Sequence, residues 1–70
     1  LPVDAMLNLE IKKNITVTSI NIYNTLGQLI LTIPNAQQIK TIDVSRLESG
    51  HYFLKVNTDR GNSNTKFVKN

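Results

Sequence analysis

Residues Asp43 to Val56 read D-V-S-R-L-E-S-G-H-Y-F-L-K-V, a polar turn that runs straight into a strand. The short side chains of Asp43 and Ser45 hydrogen-bond nearby backbone N–H groups and hold a turn. Gly50 can take the positive φ that a tight corner asks for. Beyond Gly50 the pattern switches to period two. Tyr52, Leu54 and Val56 share one face, and His51, Phe53 and Lys55 the other. The arrangement predicts a buried Tyr52 ring, with its hydroxyl returned to turn backbone near Leu47 and Leu47 as the plug beneath.

Downstream, Thr58 to Asn62 reads as a hairpin turn, and Asn64 to Lys69 as a last strand. Upstream, Ile39 to Val44 is a strand with Ile42 and Val44 on one face. Pro34 to Gln37 is a loop, since Pro donates nothing to a ladder. Gln28 to Ile33 is a strand with Leu29, Leu31 and Ile33 on one face and Ile30 on the other. Asn24-Thr25-Leu26-Gly27 is the clearest turn, of the kind closed by a glycine bulge at Gly27. Before it, Val17 to Tyr23 is rich in β-branched residues and reads as a strand with Ile20 and Ile22 inward. The apolar phase slips by one around Thr18-Ser19, where a bulge is expected unless the strand proper begins after that point. Lys12-Lys13-Asn14 is a polar turn. Leu7, Leu9 and Ile11 alternate with polar residues as a half-buried strand does. Leu1 to Met6 is kept extended by Pro2.

No helical period occurs in the chain. The reading is all-β: a small antiparallel β-sandwich of six to seven short strands. Tyr52 after the Gly50 corner gives it the immunoglobulin-like tyrosine corner.

Seventy residues make one domain with a thin core. The chain has no cysteine, so neither a disulfide nor a thiolate metal site supports it. The longest apolar runs, such as Leu29 to Leu31, are far too short to span a bilayer, so no membrane insertion is expected. The chain starts at Leu1 with no signal-peptide pattern and no Met, and is expected to be a piece of a longer protein. Net charge is +3, but the basic residues are scattered and lack the interleaved exposed aromatics of a nucleic-acid surface. They read as a solvated face, with no nucleic-acid partner.

Nothing in the chain assembles a catalytic site. His51 is the single histidine and sits on the strand face opposite Tyr52, with no nucleophile in view. Asp4, Glu10, Asp43, Glu48 and Asp59 are too dispersed for a calcium loop. No catalytic, metal or cofactor residue is therefore assigned. Asn14-Ile15-Thr16 matches a glycosylation sequon, a three-residue pattern that arises readily by chance. Tyr23 and Phe67 are the one pair that could stack on a sugar. An alternative function is therefore a fibronectin-like or carbohydrate-binding accessory sandwich of an extracellular enzyme.

Three segments together resemble a family. I-N-I-Y-N-T-L-G-Q-L-I at Ile20 to Ile30 precedes I-D-V-S-R-L-E-S-G-H-Y-F-L-K-V at Ile42 to Val56, and T-K-F-V-K-N closes the chain. This resembles the type A C-terminal sorting domain of the type IX secretion system of Bacteroidetes, over nearly the whole chain. The resemblance implies an immunoglobulin-like sandwich of seven strands that is not an enzyme. It also implies an N-terminal cargo protein, passage through the periplasm, and recognition by the outer-membrane translocon. A C-terminal signal peptidase of that system then removes the tail, and the cargo ends at the cell surface or outside. The Pro-Asn-Pro opening of the family is absent at Leu1 to Asp4, which leaves a first edge strand open. The expected recognition element is the terminal strand, Lys66, Phe67, Val68, Lys69 and Asn70, read as an edge strand with unpaired backbone groups. Gly27, Asp43, Leu47, Gly50 and Tyr52 are the expected structural turn residues.

Overall fold

The computed structural model describes residues 2–70. Seven strands follow in order: β1 (Pro2–Val3), β2 (Met6–Asn8), β3 (Val17–Asn24), β4 (Leu29–Ile33), β5 (Thr41–Asp43), β6 (Gly50–Thr58) and β7 (Gly61–Lys69). A five-stranded sheet runs β1-β7-β6-β3-β4, and β2 pairs with β5 in a second, two-stranded sheet. The chain is all-β, and the two sheets pack as a small sandwich.

The period-two pattern explains which faces meet. Val17, Ile20 and Ile22 of β3, Tyr52 and Leu54 of β6, and Phe67 of β7 are buried on the inner face of the large sheet. Leu7 of β2, Ile42 of β5 and the adjoining Val44 are buried with them in one cluster. Each such aliphatic side chain removed from water contributes about 1.5–3 kcal/mol, so a core of this size supports a domain without disulfides.

The phase slip at Thr18-Ser19 is a bulge: the β3–β6 register shifts between Val17 and Ser19. That shift is what lets Val17 face inward together with Ile20 and Ile22 despite their opposite parity. The turn at Asn24 to Gly27 also forms as expected. Gly27 N–H donates to Asn24 O at 3.1 Å, Gly27 has φ 81°, and Asn24 Oδ1 accepts from the Leu26 and Gln28 N–H groups.

Several elements depart from the sequence reading. Pro2–Val3 is a strand after all, and it runs parallel to β7, opposite Val68 and Lys69. That pair makes the sandwich mixed rather than wholly antiparallel. β2 is confined to Met6–Asn8, and Ile11 is exposed. β5 likewise spans only Thr41–Asp43, although Leu9 N–H to Lys40 O and Val44 N–H to Ala5 O prolong the pairing at both ends. Leu29 does not share the inner face of Leu31 and Ile33: the β3–β4 register shifts between Ile22 and Tyr23, so Leu31 and Ile33 lie half-buried opposite the buried Ile22 and Ile20, while Leu29 pairs with Tyr23 and is exposed. The loop after Pro34 contributes a core residue that periodicity could not reveal. Ala36 is fully buried, and its N–H donates to Thr18 O at 3.1 Å.

Candidate functional site

The corner that leads into β6 is built from its own backbone. Asp43 Oδ1 accepts the Ser45 N–H at 2.9 Å, and Leu47 N–H donates to Val44 O at 3.0 Å. Hydrogen bonding from the Ser45 side chain, then from its backbone N–H, holds the Asp43 carboxyl below the usual aspartate value, and the Arg46 charge adds to this. Gly50 sits at φ 144°, outside the range that side-chain-bearing residues favour. The Tyr52 hydroxyl donates to Glu48 O at 2.7 Å, one residue past Leu47, so the tyrosine corner forms. Leu47 itself is half-buried. Val44 is the fully buried side chain of this turn, so the plug is Val44 more than Leu47.

From this corner β6 pairs with β7 through a two-residue turn at Asp59-Arg60, which fixes the register from Gly50 opposite Lys69 to Thr58 opposite Gly61. The register splits the terminal strand in two. Phe67 points inward, almost wholly buried, with its ring stacked on Tyr52 at 5.5 Å between centroids. A buried Phe67 cannot serve as half of a sugar-stacking platform with Tyr23, which removes the feature behind the carbohydrate-binding alternative. Lys69 also points inward and is 8% exposed. Its Nζ donates to Leu47 O at 3.2 Å and to Asn70 O at 3.3 Å, tying the end of β7 to the corner. The Asn70 N–H donates to Val3 O at 2.8 Å, and its side-chain amide to Asp4 Oδ1 at 3.0 Å.

Lys66 and Val68 face outward. Lys66 is exposed and lies directly opposite Phe53, itself 40% exposed, and Val68 lies opposite His51. The outer face of the hairpin thus shows an aromatic ring beside a cation, with a shallow depression lined by Phe53, Asn64, Thr65 and Lys66. The five residues expected to form one recognition strand are therefore not equivalent. Phe67 and Lys69 hold the fold, Asn70 ties β7 to Val3 and Asp4, Lys66 is exposed on the outer face, and Val68 is half-buried beside Pro2. Phe53 was not among the sequence-derived residues. A two-residue turn at Asp59-Arg60 was the signal that would have placed it across from Lys66.

β7 is also less of an edge than expected. β1 covers it at Val68 and Lys69, so its outer backbone is open only from Gly61 to Phe67. Among the described residues no group of His, Asp or Glu side chains is placed to hold a metal ion.

The sequence model of one family, described as the secretion system C-terminal sorting domain, matches residues 1–70. No curated protein and no solved structure matches the chain. With the match spanning every residue and the fold an all-β sandwich, the chain belongs to the C-terminal sorting domains of the type IX secretion system, a non-catalytic family of signals for export through the outer membrane.

Proposed function

We propose that the chain is a type A sorting domain whose β6–β7 hairpin is the surface read by the outer-membrane translocon. The exposed pair Phe53–Lys66 carries this reading: it is an apolar ring and a cation displayed together, next to backbone that is open from Gly61 to Phe67. A partner strand laid along that edge would gain main-chain hydrogen bonds, with Lys66 and Val68 supplying side-chain specificity. A cargo joined ahead of the domain would lead into Pro2–Val3, which lie against Val68 and Lys69. Cargo and signal would then meet at one end of the sandwich, where the signal peptidase could cut ahead of the folded tail. The domain would be periplasmic in transit, and its cargo would finish at the cell surface or outside.

The test is a fusion. A reporter exported to the periplasm is joined to the N-terminus of this chain in a bacterium with a type IX system. The reporter should reach the surface or the medium, whereas the unfused reporter stays inside. Retention of the fusion, with the domain folded, would defeat the proposal.

A further inference from the structure

The connection from β2 to β3, residues 9–16, is fixed at its ends and free between them. Leu9 N–H donates to Lys40 O at 2.8 Å, and Thr16 N–H donates to Asp59 Oδ1 at 3.1 Å. Among the described residues, Glu10 to Ile15 make no hydrogen bond outside the loop. One internal bond, from Ile15 N–H to Lys12 O at 3.2 Å, closes a turn there, with Asn14 at φ 72°. Glu10 to Asn14 are all exposed. The loop stands off the sandwich, with one hollow completed by Val56, Thr58 and Ser63 and another by Gln37 to Lys40; Leu9, Ile11, Lys12 and Ile15 line both. Exposed polar loop tips are where proteases nick folded chains. This tip carries Lys12-Lys13, the only adjacent pair of cations in the sequence. We propose that Lys12-Lys13 is a processing site for an endopeptidase whose specificity pocket holds a carboxylate for lysine, and that the N-terminal strands stay seated after the cut.

A protease binds its substrate extended, so the cost of opening each candidate site selects among the basic residues. At Lys12-Lys13, opening breaks one turn bond and no strand pairing. The other basic residues are held. Lys55, Lys66 and Lys69 lie in the β6–β7 ladder. Arg60 sits in the turn of that hairpin, its N–H on Thr58 Oγ1 at 3.0 Å. Arg46 lies in the corner closed by Leu47 N–H on Val44 O, and the Lys40 carbonyl accepts from Leu9 N–H. Hydrolysis adds one water across the amide after Lys12 or Lys13. It leaves a carboxylate on that lysine and an amino group on the next residue. This cut falls inside the fold, unlike one made ahead of it. The severed N-terminal piece keeps Pro2–Val3 beside Val68 and Lys69, and Met6–Asn8 beside Thr41–Asp43. Asn70 N–H stays on Val3 O and Val44 N–H on Ala5 O, and Val3 and Leu7 stay in the core. A cargo joined ahead of Pro2 would pass from a covalent link to a reversible one, released as β1 and β2 let go. The cut itself does not depend on the export reading.

Brief digestion of the native chain with a low ratio of trypsin tests this. The first products, read by mass, should be two pieces divided after Lys12 or Lys13. They should elute together on size exclusion, at the position of the intact 7.9 kDa chain, and separate in denaturant. The double variant Lys12→Gln, Lys13→Gln should keep the wild-type melting temperature. Its first cut should be slower by at least about tenfold, because a pocket built to pair a cation rejects a neutral side chain. A first cut at Arg46, Arg60 or any other basic residue would overturn the proposal. So would a first cut no faster than the global unfolding that core amide exchange reports. Pieces that part on size exclusion without denaturant, or a double variant cut as fast as wild type, would overturn it as well.

Discussion

Tyr52 joins ring burial to one hydrogen bond, and two substitutions separate these contributions. Tyr52→Phe keeps the stack on Phe67 and loses only the bond to Glu48 O, so it should cost about 1 kcal/mol in chemical denaturation. Tyr52→Ala also empties the core position and should cost about 3–5 kcal/mol. Equal losses would mean that the ring contributes nothing. Gly50 is constrained by backbone and not by space: a Cβ built there meets no atom within 4 Å, yet φ is 144°. Gly50→Val should therefore cost about 1–3 kcal/mol through strain alone, read as a lower melting temperature. Asp43 gives the corner a small acid dependence. Its folded-state pKa is depressed, so its contribution is complete above the ordinary aspartate value of about 3.9 and is lost as pH falls below it. The melting difference between the wild type and Asp43→Asn should accordingly shrink on acidification through that window. A difference that grows instead would contradict the sign.

Along β7, two lysines on opposite strand faces do different work, and a pair of alanine substitutions shows it. Lys69→Ala removes a buried stem and the Nζ bonds to Leu47 O and Asn70 O, and should cost about 1–2 kcal/mol. Lys66→Ala alters a solvated side chain and should stay within about 0.5 kcal/mol of wild type. Equal melting curves for the two variants would contradict the register. This distinction marks how far the sequence could be read. The positions of β3, β4 and β6 were legible, as were the bulge at Thr18-Ser19 and the Tyr52 corner, whereas the second bulge, which takes Leu29 off the face of Leu31 and Ile33, was not. The legible features depend on local chemistry: β-branched runs, Asn24 to Gly27, and Gly50 before a period-two stretch. What was not legible depends on contacts distant in sequence. Pro2–Val3 becomes a strand only because Val68 and Lys69 lie beside it. Ala36 is buried only because its loop folds back on Thr18. Lys69 looks like a surface cation until its carbonyl acceptors at Leu47 and Asn70 are in place.

Across the molecule as a whole, the core lies on one face of the hairpin, and Phe53 and Lys66, the pair proposed for recognition, lie on the other. Deleting Val68 to Asn70 is therefore a poor probe of recognition, since it also removes the β1 pairing and the Lys69 contacts. The cross-strand pair is the better probe, because both side chains project from the outer face and replacing them leaves the core intact. The deciding measurement is surface export of a reporter fused to this chain carrying Phe53→Ser and Lys66→Gln, with the melting temperature of the same domain taken in parallel. Export should fall at least about tenfold, a loss of about 1.4 kcal/mol or more in recognition, while melting shifts by only a few degrees. Export at the wild-type level from a folded double variant would contradict recognition at this face.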